Sequence, residues 1–148
     1  MRRPLALGVA LGLVLPALVA CGGSDQDAYC AAVKDHQQEL SDIVGSGEPD
    51  SLLKALDVFR DLQDQAPGDI TDEWQQVVTS IEALQQALDD AGVDPATYDR
   101  AHPPTGLSAE DRARIDAAAK QLGSGTTLRA LQDLDQQARD VCKTPLTL

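Results

Sequence analysis

Apolar residues recur along this chain at steps of three and four in five stretches set apart by glycine and proline, the spacing of half-buried helices and not of strands. Asp25 or Asp27 is placed to cap a first helix to about Val44, with Tyr29, Val33, His36, Leu40 and Ile43 on one stripe. Gly45-Ser46-Gly47 ends it, and Pro49 opens a second helix that buries Leu52, Leu56, Phe59, Leu62 and Ala66 before Pro67-Gly68. Thr71, as a cap followed by Asp72 and Glu73 in the positive first turn, starts the strongest helix, with Trp74, Val77, Ile81, Leu84, Leu88 and Ala91 inward and Gly92 closing it. Residues 93–106, rich in proline and turn formers, read as a long loop. Ser108, three residues before Asp111, begins a fourth helix with a narrow face of Ile115, Ala118, Ala119 and Leu122. Gly123-Ser124-Gly125 interrupts it, and a fifth helix carries Leu128, Leu131, Leu134, Ala138 and Val141 until Pro145 ends regular structure.

Ahead of these helices lies a different pattern. Arg2 and Arg3 precede an uncharged apolar run over residues 5–15, too short to span a bilayer, and Pro16 breaks it, as in an export signal. Leu18-Val19-Ala20-Cys21 resembles a bacterial lipobox. That resemblance implies cleavage before Cys21, a diacylglyceryl thioether on its sulfur and an acylated amine, with long chains such as palmitate. Two or more acyl chains anchor a protein durably where one is marginal. The expected organisation is a signal peptide at 1–20, an acylated cysteine and flexible tether at 21–27, and one helical domain at 28–148 on the outer face of the cell membrane. With Cys21 acylated, Cys30 and Cys142 are the two remaining thiols in an oxidising compartment, and a disulfide between them is expected.

Composition narrows the partners. Removing the leader takes Arg2 and Arg3 but no acid, which leaves ten basic residues against 24 acidic ones, a net charge of −14. The basic residues are scattered singly, so nucleic acid is excluded as a partner class. Aromatic content of 3% leaves a core of Leu, Val, Ile and Ala and too few rings for a sugar- or base-stacking platform. No nucleophile elbow, zinc-protease helix, paired Cys-x-x-Cys or phosphate-binding glycine loop occurs, which points away from an enzyme, and no cofactor is expected. Asp61, Asp64, Asp69, Asp72 and Glu73 crowd one turn but lack the spacing and central glycine of a calcium loop, so no metal site is assigned. His36 has only His102 as a second histidine and reads as a bundle residue with a hydrogen-bond partner. Tyr98, Arg100 and His102 lie on the long loop, where binding residues concentrate, and are the candidate partner contacts.

Taken together, Tyr29-Cys30, Pro67, Ile70, Glu73-Trp74, Leu107-Ser108, Glu110-Asp111 and Val141-Cys142 give the mature chain an order that resembles small secreted lipoproteins of actinobacteria. The resemblance implies helices, export and a disulfide, and no activity. In that group a glycine often follows the closing cysteine; here Lys143 does.

The expected fold is all-α, a disulfide-closed up-and-down bundle of four to five helices. If the first helix runs up, Cys142 must come down to Cys30, which five strictly alternating helices forbid. Either the long loop crosses back, making helices three and four parallel, or helices four and five form one broken descending unit. The crossover is favoured, because a single helix through Gly123 and Gly125 would be about 50 Å long and would leave one end unpacked. Tyr29, Trp74 and the disulfide are then expected at the membrane-proximal pole, and the two Gly-Ser-Gly turns with the start of the loop at the distal one. The expected function is non-catalytic contact with an envelope protein or wall component; the alternative is a small-ligand carrier, with Ala118 and Ala119 leaving a pocket between helices.

Overall fold

A computed structural model describes residues 23–147; the expected signal peptide and Cys21 lie outside the described residues. Six α-helices appear: α1 (Gly23–Gly45), α2 (Ser51–Lys54), α3 (Leu56–Asp64), α4 (Thr71–Asp90), α5 (Ala109–Leu122) and α6 (Gly125–Gln137). One π-helical turn, Ala138–Cys142, follows α6. No described helix is long and apolar enough to cross a membrane.

The six helices occupy four columns that alternate in direction. α1 rises; α2 and α3 descend as one column bent at the fully buried Ala55, where a single second helix was expected. α4 rises, with α3 antiparallel to it, since Arg60 pairs with Glu82 and Gln63 reaches Gln75. α5 and α6 then both descend along α4. Arg114, near the start of α5, feels Asp90 at the end of α4, whereas Thr127 in α6 meets Gln76 and Ser80 halfway back. This corrects the favoured crossover: the 93–106 loop stays at one end of the bundle, and α5 with α6 forms the broken descending unit. A bend at Gly123-Ser124 removes the overhang that counted against that arrangement, because two short helices can each follow α4 where one rigid rod would run past it. The Gly123-Ser124-Gly125 turn accordingly sits at mid-height, not at the distal pole.

The bend has its own chemistry. Ser124 caps α6 by accepting the Thr127 amide at 3.3 Å, as Ser108 caps α5 by accepting the Asp111 amide at 3.0 Å. Thr127 is fully buried; its hydroxyl donates to the Gln121 carbonyl at 3.0 Å and lies 3.2 Å from the Ser80 hydroxyl. Thr127 therefore takes the core position expected of Leu128, which is 50% exposed. At the other end of this column the π turn shifts the register by part of a residue, so that Cys142 faces the bundle and Val141, expected inside, is 38% exposed.

Elsewhere the stripes hold. Tyr29, Val33 and Leu40, then Leu56, Phe59 and Leu62, then Trp74, Val77, Ile81 and Leu88 are buried in their helices. The indole of Trp74 donates to the Tyr29 hydroxyl at 3.2 Å, with ring centroids 6.5 Å apart, and Phe59 lies 5.7 Å from the same indole. Two expected helix starts are corrected. Ile70 occupies the cap position of α4, and Thr71 instead donates its hydroxyl to the Pro67 carbonyl. α1 begins at Gly23, so residues 23–27, expected to be tether, are helical.

Cys30 and Cys142 form the disulfide, 112 residues apart in sequence. After it Lys143 turns the chain with φ of 57°, alone among the described non-glycine residues in having positive φ. This reversal sends Thr144 to Leu146 back into the seam between α1 and α6, which do not approach within 8 Å Cα to Cα. There the Gln37 side chain donates to the Pro145 carbonyl, the Leu146 amide donates to Asp135, and the Leu146 side chain joins the core. Helix thus ends at Cys142, ahead of the expected stop at Pro145, and the packed structure continues past both.

Two predictions follow from this closing segment. The cross-link stabilises the fold by at most about 5 kcal/mol in the chain-entropy view, so reduction should lower Tm; it should also raise Trp74 emission, because the quenching disulfide adjoins the Tyr29–Trp74 pair. Two thiols reactive in the native protein would contradict it. A left-handed conformation costs a lysine about 1–2 kcal/mol, offset in part by its Nζ bond to the Asp140 carbonyl. Lys143→Gly should therefore stabilise the protein by about 0.5–1 kcal/mol, net of the entropy a glycine adds to the unfolded chain, measured by urea unfolding.

Candidate functional site

Loop 93–106 is an ordered cap over the end of the bundle away from the disulfide. Gly92, with φ of 64°, releases the chain from α4. Two aspartates then fold the loop on itself: Asp94 accepts the Ala96 amide at 3.0 Å, and Asp99 accepts the Ala101 amide at 2.8 Å, each holding a tight turn. The Asp99 carboxyl lies below its usual range because it bonds the His102 ring, at 2.8 Å, and the Ala101 amide. Arg100 spans from the loop to α5, pairing with Asp116 at 2.9 Å.

The three candidate contacts divide. His102, 85% exposed, and Arg100, 63% exposed, stand on the outer edge of the cap. Tyr98 is turned inward. Its hydroxyl is shut off from solvent and has no hydrogen-bond partner among the described groups. The ring borders a partly open cleft of about 200 Å³ lined by Pro49, by Leu52 and Leu53 of α2, Leu84 and Leu88 of α4, Ile115, Ala119 and Leu122 of α5, and Pro95 with Arg100 from the loop. Of the paired alanines, Ala119 lines this cleft and Ala118 does not. The cleft itself was not legible, because it needs Tyr98 and Pro95 brought onto helices that are distant in sequence. The available signal was one aromatic in a proline-rich loop before an alanine-rich helix face.

The opposite pole holds the Tyr29–Trp74 pair and the disulfide together, as helix direction required. Burial pushes the Tyr29 hydroxyl up to about 12, against the opposing effect of the Trp74 bond. The acids around Pro67-Gly68 disperse: Asp61 turns to His36, while Asp64, Asp69 and Asp72 are exposed. Among the described residues no three His, Cys, Asp or Glu side chains are grouped to hold a metal. His36 joins α1 to α3 through Asp61, 2.7 Å away, with Glu39 at 3.4 Å.

Compared with models of protein families, with curated proteins and with solved structures, the chain matches none.

For His36, burial lowers the pKa, but the hydrogen bonds to Asp61 and then Glu39 outweigh it, so the ring titrates above its ordinary value. Its contribution is fully present below the unfolded value of about 6.5 and is lost as pH rises through the raised folded value. Unfolding free energies of wild type and His36→Gln should accordingly converge as pH rises from about 5.5 to about 8.5. A gap that is constant or widens over that range would show that the pair does not act this way.

Proposed function

We propose that the protein is a non-catalytic lipoprotein of the cell envelope, held on the outer face of the membrane by acylated Cys21, whose loop-capped pole contacts an envelope protein or wall component. The observation that carries this reading is the placement of two features at opposite ends. α1 begins at Gly23, with only Gly22 between it and the lipobox cysteine. Its 23 residues rise about 35 Å, and the cap formed by loop 93–106 closes the far end. A partner arriving from beyond the membrane surface meets that cap first.

The cap also differs chemically from the columns beneath it. Its edge sets the guanidinium of Arg100 and the imidazole of His102 beside rigid Pro103-Pro104, a mixture suited to specific contact, on a chain whose net charge is −12. The exposed helix faces are mainly acidic, which suits solubility and stand-off from anionic lipid. The lipobox and the chain's resemblance to secreted actinobacterial lipoproteins support the address, and the missing catalytic motifs support the non-catalytic class.

Mass spectrometry of the mature protein should find diacylglyceryl on an N-terminal Cys21, and Cys21→Ala should release the protein from membranes; an unmodified cysteine would end the lipoprotein reading. Photo-crosslinkers in living cells should give a discrete adduct at His102 and none at Asp57, which is 94% exposed on α3. Equal labelling at both would count against the cap as the contact surface.

A further inference from the structure

Loop 93–106 is tied to itself far more than to the bundle. Asp94 accepts the Ala96 amide, and the Thr97 amide reaches the Asp94 carbonyl; Asp99 accepts the Ala101 amide and bonds the His102 ring; the Leu107 amide returns to the Pro104 carbonyl. Pro95, Pro103 and Pro104 stiffen the backbone between these turns. Among the described residues, the Arg100–Asp116 pair is the one hydrogen bond or ion pair that joins residues 94–106 to a helix. Both of its side chains are exposed, so this tie is weak and is screened by salt.

The apolar contacts beneath the loop are also set apart. Leu88 and Ile115 are 3% and 1% exposed, yet neither belongs to the core cluster that holds Tyr29, Trp74 and Ile81. They share a cleft with Pro95 and Tyr98 of the loop. A small buried group under a long loop is a packing unit of its own, and such a unit opens without the main core. The chain leaves α4 and returns to α5 through Gly92 and Gly106, with φ of 64° and 101°. A Cβ would meet nothing within 4 Å at either, so backbone conformation and not space calls for glycine at both ends. Tyr98 tilts the balance. Its hydroxyl is sealed from solvent with no hydrogen-bond partner, a cost to the closed state that water removes once the loop lifts.

We propose that loop 93–106 is a salt-sensitive lid: it lifts as a unit between Gly92 and Gly106, with Arg100–Asp116 as its latch and the unpaired Tyr98 hydroxyl favouring the open state. Opening hydrates that hydroxyl and bares Leu88 and Ile115 at the pole opposite the disulfide, while the main core keeps its packing. The device depends neither on the lipid anchor nor on a partner.

The isoleucines divide between the two packing units, with Ile115 under the lid and Ile70 and Ile81 in the main core. Methyl relaxation dispersion is recorded on the full chain labelled at isoleucine, in lipid nanodiscs where it carries acyl chains and in buffer where it does not, so a failed lipid reading leaves the test standing. Ile115 should show exchange on the microsecond-to-millisecond scale that this method reads, while Ile70 and Ile81 stay flat. Tyr98→Phe should lower the open population by about fivefold or more, the cost of one buried hydroxyl left unbonded. Asp116→Asn should raise it by about two- to fivefold, the worth of one exposed ion pair. Chloride salt at about 1 M, where the screening length is about 3 Å, should raise it in the wild type but not in Asp116→Asn. A flat Ile115 in the wild type, exchange shared by Ile70 and Ile81, an open population that Tyr98→Phe leaves unchanged or raises, or the same salt response in wild type and Asp116→Asn would overturn the proposal.

Discussion

The disulfide between Cys30 and Cys142 is the constraint on which the architecture depends. It ties the opening turns of the first column to the end of the last, so the chain must traverse the bundle an even number of times between them. Four columns satisfy that, but the apolar pattern supplies five main helical stretches. The difference is absorbed by joining two of them in one descending column, and that column must bend to stay on α4. Every unusual local feature of the second half serves this descent: the Ser124 cap, the buried Thr127, the π turn that aims Cys142, and the left-handed Lys143 beyond it.

Burying Thr127 against Ser80 sets polar atoms where aliphatic carbon would contribute more hydrophobic stabilisation. The gain is positional. A hydroxyl pair with donors and acceptors from Gln76, Gln121 and Ser124 is satisfied in one arrangement of α6 against α4 and leaves unpaired groups in any other. The tail makes a complementary adjustment on the far side, where Leu146 and Pro145 fill the seam that α1 and α6 leave open. The disulfide therefore closes a ring whose last joint is wedged by the chain's own end.

What could be read from the chain was what each helix determines locally. Stripes such as Leu56, Phe59 and Leu62 or Trp74, Val77 and Ile81 are dictated by period, and Ser108 is dictated by cap geometry, so these were legible. Direction was not, because residues 93–106 are long enough either to cross the bundle or to fold over its end. Asp94 and Asp99 decide the matter by closing tight turns, a signal present in the sequence but silent about distance. Thr127 was passed over for Leu128 because a hydrophobic stripe has no place for a threonine whose partners lie on another helix. The sequence placed Tyr98, Arg100 and His102 on one loop but could not sort them, because nothing local separates a tyrosine that turns inward from an arginine and a histidine that face water.

The two poles are also built from different materials, and this grades the stability of the molecule. At one end three of its four aromatic rings, a buried indole-to-phenol hydrogen bond and a covalent bond are brought together. At the other, the cap is held by two aspartate turns, by the exposed Arg100–Asp116 pair, worth little in water, and by a tyrosine whose buried hydroxyl is unpaired. Local opening follows the weaker contacts, so the cap can lift without disturbing the closed pole. The columns, fixed by the disulfide ring below, keep their packing when it does.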